Sequence, residues 1–256
     1  KKLMHITWDA DSAEKGGYKH FMKKEIAEQP KAVRDTLGGR IVDGKVNLPE
    51  LTLSDEQIKN IGVIHIVACG SAWHVGMTAK YLIERSAGIL CECDLASEFR
   101  YRHPVVRDND LCIVISQSGE TADTLAALRE AKSRGAHTVS IVNVVESTIA
   151  RESDDVIYTM AGPEIAVATT KAYSTQLILL DMLGLYFADA LGTVGQSEYA
   201  AIIDEILRLP GKMEQMLENI DDIKHFASKY FNHNSGFFIG RNLDYAMGLE
   251  GSLKLK

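Results

Sequence analysis

Three hydroxyl side chains and a glycine fall within six residues in Ser116-Gln117-Ser118-Gly119-Glu120-Thr121. An apolar stretch at residues 111–115 precedes this run, and a helical pattern at residues 122–134, stopped by Gly135, follows it. The hydroxyls therefore stand where a strand hands over to a helix. The first N–H groups of a helix have no partner within it, and the helix dipole presents its positive end there. An anion is accommodated at such a junction without lysine or arginine. Ser116, Ser118 and Thr121 add donors, and Gly119 removes the side chain that would block close approach. The run reads as a phosphate cradle.

Two further loops share this character. Cys69-Gly70-Ser71-Ala72 follows a near-continuous apolar run at residues 63–68, and residues 164–171 (Glu-Ile-Ala-Val-Ala-Thr-Thr-Lys) precede a largely apolar helix. Ser and Thr are also what helix N-caps select, so any one loop reads equally well as capping. Three such loops at one edge suit a ligand covered with hydroxyls and carrying a phosphate. Gly70 and Gly76 do not make G-x-G-x-x-G, and no G-x-x-x-x-G-K-[S/T] occurs, which argues against a nucleotide site. His65 and His74 stand isolated and read as structural. Cys91-x-Cys93 alone is a weak metal signal, so no metal and no cofactor is expected. The charged aromatic run Glu98-Phe99-Arg100-Tyr101-Arg102 reads as packing and surface ion pairs.

The elements that must position these loops alternate. Strands are predicted at residues 63–68, 90–95, 111–115, 138–142 and 156–160, with helices between them at about 72–86, ending at Gly88, and from 124, where Leu125, Leu128 and Ala131 follow the helical period. Such alternation predicts an α/β fold, a three-layer α/β/α sandwich around a five-stranded parallel sheet, flanked by helical segments. Ligands of open parallel sheets sit outside the carboxyl ends of the strands, where all three loops lie. Ahead of the sheet, residues 5–8 read as a terminal strand and residues 9–17 as a linker. A helical pattern then starts at Tyr18, with Pro30 opening a second helix that ends at Gly38-Gly39. Ser54-Asp55-Glu56-Gln57 has the form of a capping box. Beyond the sheet, residues 196–230 read as helical and broken at Pro210-Gly211. Gly236-Phe237-Phe238-Ile239-Gly240 reads as the first strand of another α/β unit.

The chain has 256 residues, 46% of them hydrophobic and 25% charged, with a net charge of −7. The acidic balance argues against nucleic-acid and anionic-membrane partners. The most apolar segment, residues 177–190, is short and carries Asp181 and Asp189, so no membrane partner is expected. Four cysteines are too few for a disulfide framework and fit reduced thiols in the cytoplasm. The start Lys1-Lys2-Leu3 has neither an initiator Met nor a secretion signal, which suggests a fragment of a longer polypeptide.

Taken in order, the Cys-Gly-Ser loop, the Ser-Glu-Phe-Arg-Tyr run, the Ser-Gln-Ser-Gly-Glu-Thr run and the Val-Ala-x-Thr-Lys loop resemble the glutamine–fructose-6-phosphate aminotransferase (glucosamine-6-phosphate synthase) family. Residues 17–30 resemble that family's linker after its glutaminase domain. Residues 249–256 resemble the start of its second sugar isomerase (SIS) domain. The resemblance implies the end of a glutaminase domain, linker and lead helices at residues 1–54, and a first SIS domain at 55–190. A helical connector at 191–232 and an incomplete second SIS domain at 233–256 would follow. It implies that Ser116, Gln117, Ser118 and Thr121 hold the phosphate of fructose 6-phosphate or glucosamine 6-phosphate. Cys69, Gly70, Ser71, Val167, Ala168 and Thr169 would line the sugar. Lys254 matches a family active-site lysine, and Glu250 a carboxylate paired with it one turn earlier. Ser71-Ala72 stands where Thr-Ser is usual and Thr169 where Ser is usual, which leaves Ala72 without a hydroxyl to offer. The family's remaining catalytic groups have no counterpart here, so the implied piece binds sugar phosphate without turning it over. A homodimer is implied for the parent enzyme. A sugar-phosphate-sensing SIS regulatory module and a single-domain phosphosugar isomerase are the other readings compatible with this core.

Overall fold

A computed structural model describes residues 14–256. The expected strand at residues 5–8 and the first part of the expected linker lie outside the described residues. Helix α1 (Phe21–Leu37) leads into a small antiparallel ribbon of β1 (Ile41–Val42) and β2 (Lys45–Val46). Helix α2 (Asp55–Lys59) precedes β3 (Val63–Ala68), α3 (Ser71–Ala87), β4 (Leu90–Leu95) and the short α4 (Ala96–Phe99). Then come β5 (Leu111–Ser116), α5 (Ala122–Ser133), β6 (His137–Val142), α6 (Thr148–Glu152), β7 (Asp155–Tyr158) and the long α7 (Lys171–Leu191). Helices α8 (Gln196–Glu218), α9 (Asp221–Tyr230) and α10 (Leu243–Leu255) complete the chain. Strands β3 to β7 form one parallel sheet in the order β4-β3-β5-β6-β7.

The central strands are apolar on both faces because both faces are covered. Leu111, Ile113 and Ile115 of β5 face α3 and α7 in one core, joined by Ile64, Ile66 and Ile141. Cys112 and Val114 alternate into a second core with Phe99, Ala127, Leu128 and Ile149 from α4, α5 and α6. Three layers result, and β3 and β5 end side by side at the sheet's carboxyl edge. Cys91 and Cys93 sit with the first core, where burial pushes both thiols up to about 12. Helix α7 is long and apolar enough to cross a membrane by length and composition alone; its apolar residues are those buried against the sheet and α3. In the charged aromatic run, Phe99 is fully buried, Arg100 pairs with Asp123 at 2.8 Å and Arg102 with Asp94.

The structure corrects four local expectations. Pro30 does not start a second helix but lies inside α1. Proline leaves the carbonyl four residues earlier without its backbone donor; here Gln29 Nε2 donates to Ile26 O at 3.3 Å in its place. Pro210 likewise lies inside α8, on a buried stripe with Tyr199, Ile203 and Ile206 whose helical spacing carries the helix through. Residues 236–240 form no strand; Phe237 and Ile239 are exposed, and a strand requires a neighbour to complete its ladder. The fifth strand spans Asp155–Tyr158 and ends two residues early. There Thr159 Oγ1 turns to Asn143 Oδ1 at 2.9 Å, and Met160 N donates to Thr36 Oγ1 at 3.1 Å. The β1–β2 ribbon turns at Asp43-Gly44, both with positive φ, an Asp-Gly hairpin signal present in the sequence but absent from the expectations above.

Ser54 forms the capping box in full: its Oγ accepts from Gln57 N at 3.2 Å, and Gln57 Oε1 accepts from Ser54 N at 2.9 Å. This fixes the entry to α2, whose Ile58 is buried in the first core. Ser54→Ala should lower stability by about 1 kcal/mol. A urea titration should show this as a lower midpoint with unchanged slope.

Candidate functional site

The loop after β5 is built by its own hydroxyls. Ser116, buried at the strand's last position, accepts from Gly119 N at 3.1 Å and lies 2.9 Å from Thr121 Oγ1. Ser118, exposed at the turn, accepts from Glu120 N at 3.2 Å. Gly119 has φ of 65°, and a Cβ there would lie 1.9 Å from Ser147 Oγ. Only glycine fits, because the turn is pressed against the start of α6, where Ile149 N donates to Gly119 O at 3.0 Å. Glu120 spends its carboxylate on Thr148 N at 2.7 Å, and that backbone bond holds its pKa below the ordinary range. The turn thus opens α5, twelve residues long, whose first N–H groups face the loop's mouth.

At the end of β3, Gly70 takes φ 58° and ψ −134° to open α3, and Ser71 follows, buried. Ser71 Oγ accepts from Lys254 Nζ at 2.8 Å. Lys254 also pairs with Glu250 at 2.6 Å, one turn earlier on α10, and Glu250 Oε2 lies 2.7 Å from His74 Nδ1 on α3. Burial works to raise the Glu250 carboxyl; the bonds with His74, Lys254 and Ser71 and the charge of Lys254 outweigh it and hold it below the usual range. A buried carboxylate thereby ties α10 to α3 and fixes the ammonium over the mouth of the β3 loop.

These two loops and the start of α7 enclose a cavity of about 160 Å³, lined by Cys69, Ser71, Ala72, Ile115, Ser116, Gln117, Ser118, Thr121, Thr169 and Gln176. Of the residues singled out in the sequence, Cys69, Ser71, Ser116, Gln117, Ser118, Thr121 and Thr169 come together on this cavity. Gly70 lies beside it as the turn. Val167, fully exposed, and Ala168 stand outside its lining, and Lys254 with Glu250 reaches it through Ser71. The lining holds no charged side chain, so an anion there depends on helix N–H groups, hydroxyls and Lys254 at the rim. A larger cavity of about 390 Å³, between α1, α7 and α8, is walled by Val33, Leu177, Leu209 and Met213 and lies apart from the hydroxyl loops.

One residue of the site escaped the sequence reading, and another, His74, was read as isolated. Gln176 on α7 is buried, lines the cavity, and leaves its Oε1 without a partner among the described residues; its place about two turns beyond Thr169-Thr170 on the following helix was the available signal. His74 lies five residues beyond Cys69, but its partner is 176 positions away and no local pattern marks the pair.

A parallel sheet with an uncharged, hydroxyl-lined cavity at its carboxyl edge, set on a helix N-terminus, defines an α/β domain suited to a small hydroxylated anion. The chain belongs to the SIS domain family, which residues 57–186 match. Over its whole length it is 54% identical to the glutamine–fructose-6-phosphate aminotransferase [isomerizing] of Clostridium acetobutylicum and 49% identical to that of Methanosarcina mazei. It spans 42% of the length of each of these relatives. Among solved structures it superposes on the C-terminal domain of glucosamine-fructose-6-phosphate aminotransferase from Francisella tularensis with a TM-score of 0.91 and 40% identity, over 95% of this chain and 69% of that one. Glucosamine-6-phosphate deaminase from Thermotoga maritima shares the fold, with a TM-score of 0.68 at 22% identity, over 92% of this chain and 66% of that one.

Proposed function

We propose that this chain is the sugar-phosphate-binding isomerase part of a glutamine–fructose-6-phosphate aminotransferase. The longer protein would convert fructose 6-phosphate and glutamine to glucosamine 6-phosphate and glutamate, with its glutaminase domain elsewhere in that polypeptide. The observation that carries the reading is the 160 Å³ cavity, whose polar lining is hydroxyl, thiol and amide, at the N-terminus of α5. The phosphate sits on Ser116, Gln117, Ser118 and Thr121. The sugar lies toward Cys69, Gly70, Ser71 and the Val167, Ala168 and Thr169 loop. Lys254, held by Glu250, is the catalytic group placed to act on the sugar, with its ammonium 2.8 Å from Ser71 Oγ. This chain binds the sugar phosphate; amination and isomerisation belong to the longer protein.

The domain boundaries that go with this reading are a lead segment to residue 54, a first SIS domain at 55–190, a helical connector at 191–232, and the start of a second SIS domain at 233–256. Exposed Ile223, Phe226, Phe231, Phe237 and Ile239 support a surface there that is covered in the longer protein. A homodimer and a cytoplasmic location complete the proposal, the latter supported by four free thiols.

Hydrogen bonds to a charged group contribute about 1.5–3 kcal/mol each. Association offsets at least about 4 kcal/mol of the total. Fructose 6-phosphate is therefore expected to bind with a Kd between about millimolar and micromolar. Ser118→Ala should weaken it by roughly ten- to a hundredfold. Titration calorimetry giving the same affinity for both proteins would remove the cradle from the account.

A further inference from the structure

We infer that Glu25, on lead helix α1, is a positioning residue for the sugar-side wall of the cavity; the inference rests on the sugar-phosphate reading above and adds a residue to it. Residues 161–170, between β7 and α7, form neither helix nor strand, so their backbone N–H groups need partners from elsewhere. Ala161 N donates to Asn143 Oδ1 at 3.2 Å, and two carboxylates serve the residues beyond it. Glu164 accepts from Thr170 N at 2.8 Å and Ala172 N at 3.2 Å, closing the end of the loop that opens α7. Glu25 reaches across from α1 and takes two consecutive amides, Ile165 N at 2.7 Å and Ala166 N at 2.9 Å, with the same oxygen, Oε1. Residues 167–169 are strung between these two anchors, and Thr169 turns into the cavity.

Glu25 is 2% exposed, and its Oε2 is buried without a hydrogen-bond partner among the described residues. Burying a carboxylate in that state is costly. An apolar side chain would fill the space on α1 at less cost, but it would leave Ile165 N and Ala166 N without their acceptor. The neighbouring contacts repeat the theme. Glu28, one turn on, pairs with Lys171 at 2.7 Å, and Gln29 Oε1 accepts from Ser174 Oγ at 2.6 Å. Helix α1 thus grips the loop and the first turn of α7 through polar groups, while the cradle at residues 116–121 has its own separate bonds to α5 and α6. Loss of Glu25 should therefore disturb recognition of the sugar and spare that of the phosphate.

The test compares fructose 6-phosphate with inorganic phosphate by titration calorimetry on this chain, its Glu25→Gln variant and its Glu25→Ala variant. Amide hydrogen exchange at Ile165 and Ala166 is followed in parallel. Gln keeps a carbonyl acceptor without the charge, so it should retain part of the effect if Ala folds poorly. The expected result is a loss of fructose 6-phosphate affinity of about threefold for Gln and about tenfold for Ala, with inorganic phosphate unchanged within about twofold. Exchange at the two amides should accelerate in the same order. Equal weakening of both ligands, or sugar preference retained in both variants, overturns the positioning role and leaves the sugar-phosphate reading standing. A wild-type chain that does not prefer fructose 6-phosphate to inorganic phosphate overturns that reading and this inference with it.

Discussion

Gly119→Ala is expected to remove sugar-phosphate binding almost entirely while leaving the rest of the sheet folded. The residue sits at φ 65°, where a side chain is strained, and its new methyl would stand 1.9 Å from Ser147 Oγ and 2.4 Å from Ser147 Cβ. Left-handed backbone costs about 1–2 kcal/mol, and overpacking about 1–3 kcal/mol more. The turn escapes this only by swinging away from α6, and the cradle's hydroxyls move with it. Fructose 6-phosphate affinity should fall at least about a hundredfold, since more than one bond to the charged phosphate is lost together. Urea unfolding should show the destabilisation, and calorimetry the lost affinity. Wild-type affinity in a folded Gly119→Ala protein would show that the turn does not hold the anion.

Glu250→Ala is expected to release α10 from α3. It strands His74, buried and deprived of its 2.7 Å partner, and frees Lys254 from its ion pair. Breaking a buried pair by removing one partner costs roughly 3 kcal/mol or more. Because α10 buries only Ala246 and Glu250, the loss should appear as local opening of residues 243–255 by amide exchange before the sheet unfolds. The pH dependence has a definite sign. The folded carboxyl lies below its ordinary value, so its contribution, shared with His74 and Lys254, is complete above about pH 4.3, the unperturbed glutamate value. It is lost as pH falls through the lowered folded value. Protection of α10 in the wild type should exceed that in Glu250→Gln at neutral pH, and the gap should close on acidification. A gap that widens in acid would contradict the ion-pair account.

The sheet was legible because its strands are short apolar runs separated by helical periods, and the runs at residues 63–68, apolar but for His65, and 111–115 do not alternate, as double-sided burial demands. The clustering of the hydroxyl loop was legible for a similarly local reason: its hydroxyls, glycine and helix start lie within a few residues. Pro30 and Pro210 misled because the remedy at Pro30 is a neighbour's side chain and at Pro210 a buried stripe, neither of which a proline rule sees. The strand read at residues 236–240 failed for a related reason: apolar composition does not make a ladder without a neighbour. Glu25, and the partner of the isolated and structural His74, could not be read because the bonded groups lie 140 and 176 positions apart.

The most direct test of the account is amide chemical-shift mapping of this chain titrated with fructose 6-phosphate. The account predicts that the largest shifts fall on Ser118, Gly119 and Glu120 and on the first amides of α5, with smaller ones at Ser71 and Thr169. Shifts centred on another part of the molecule, with those amides unmoved at saturation, would contradict it.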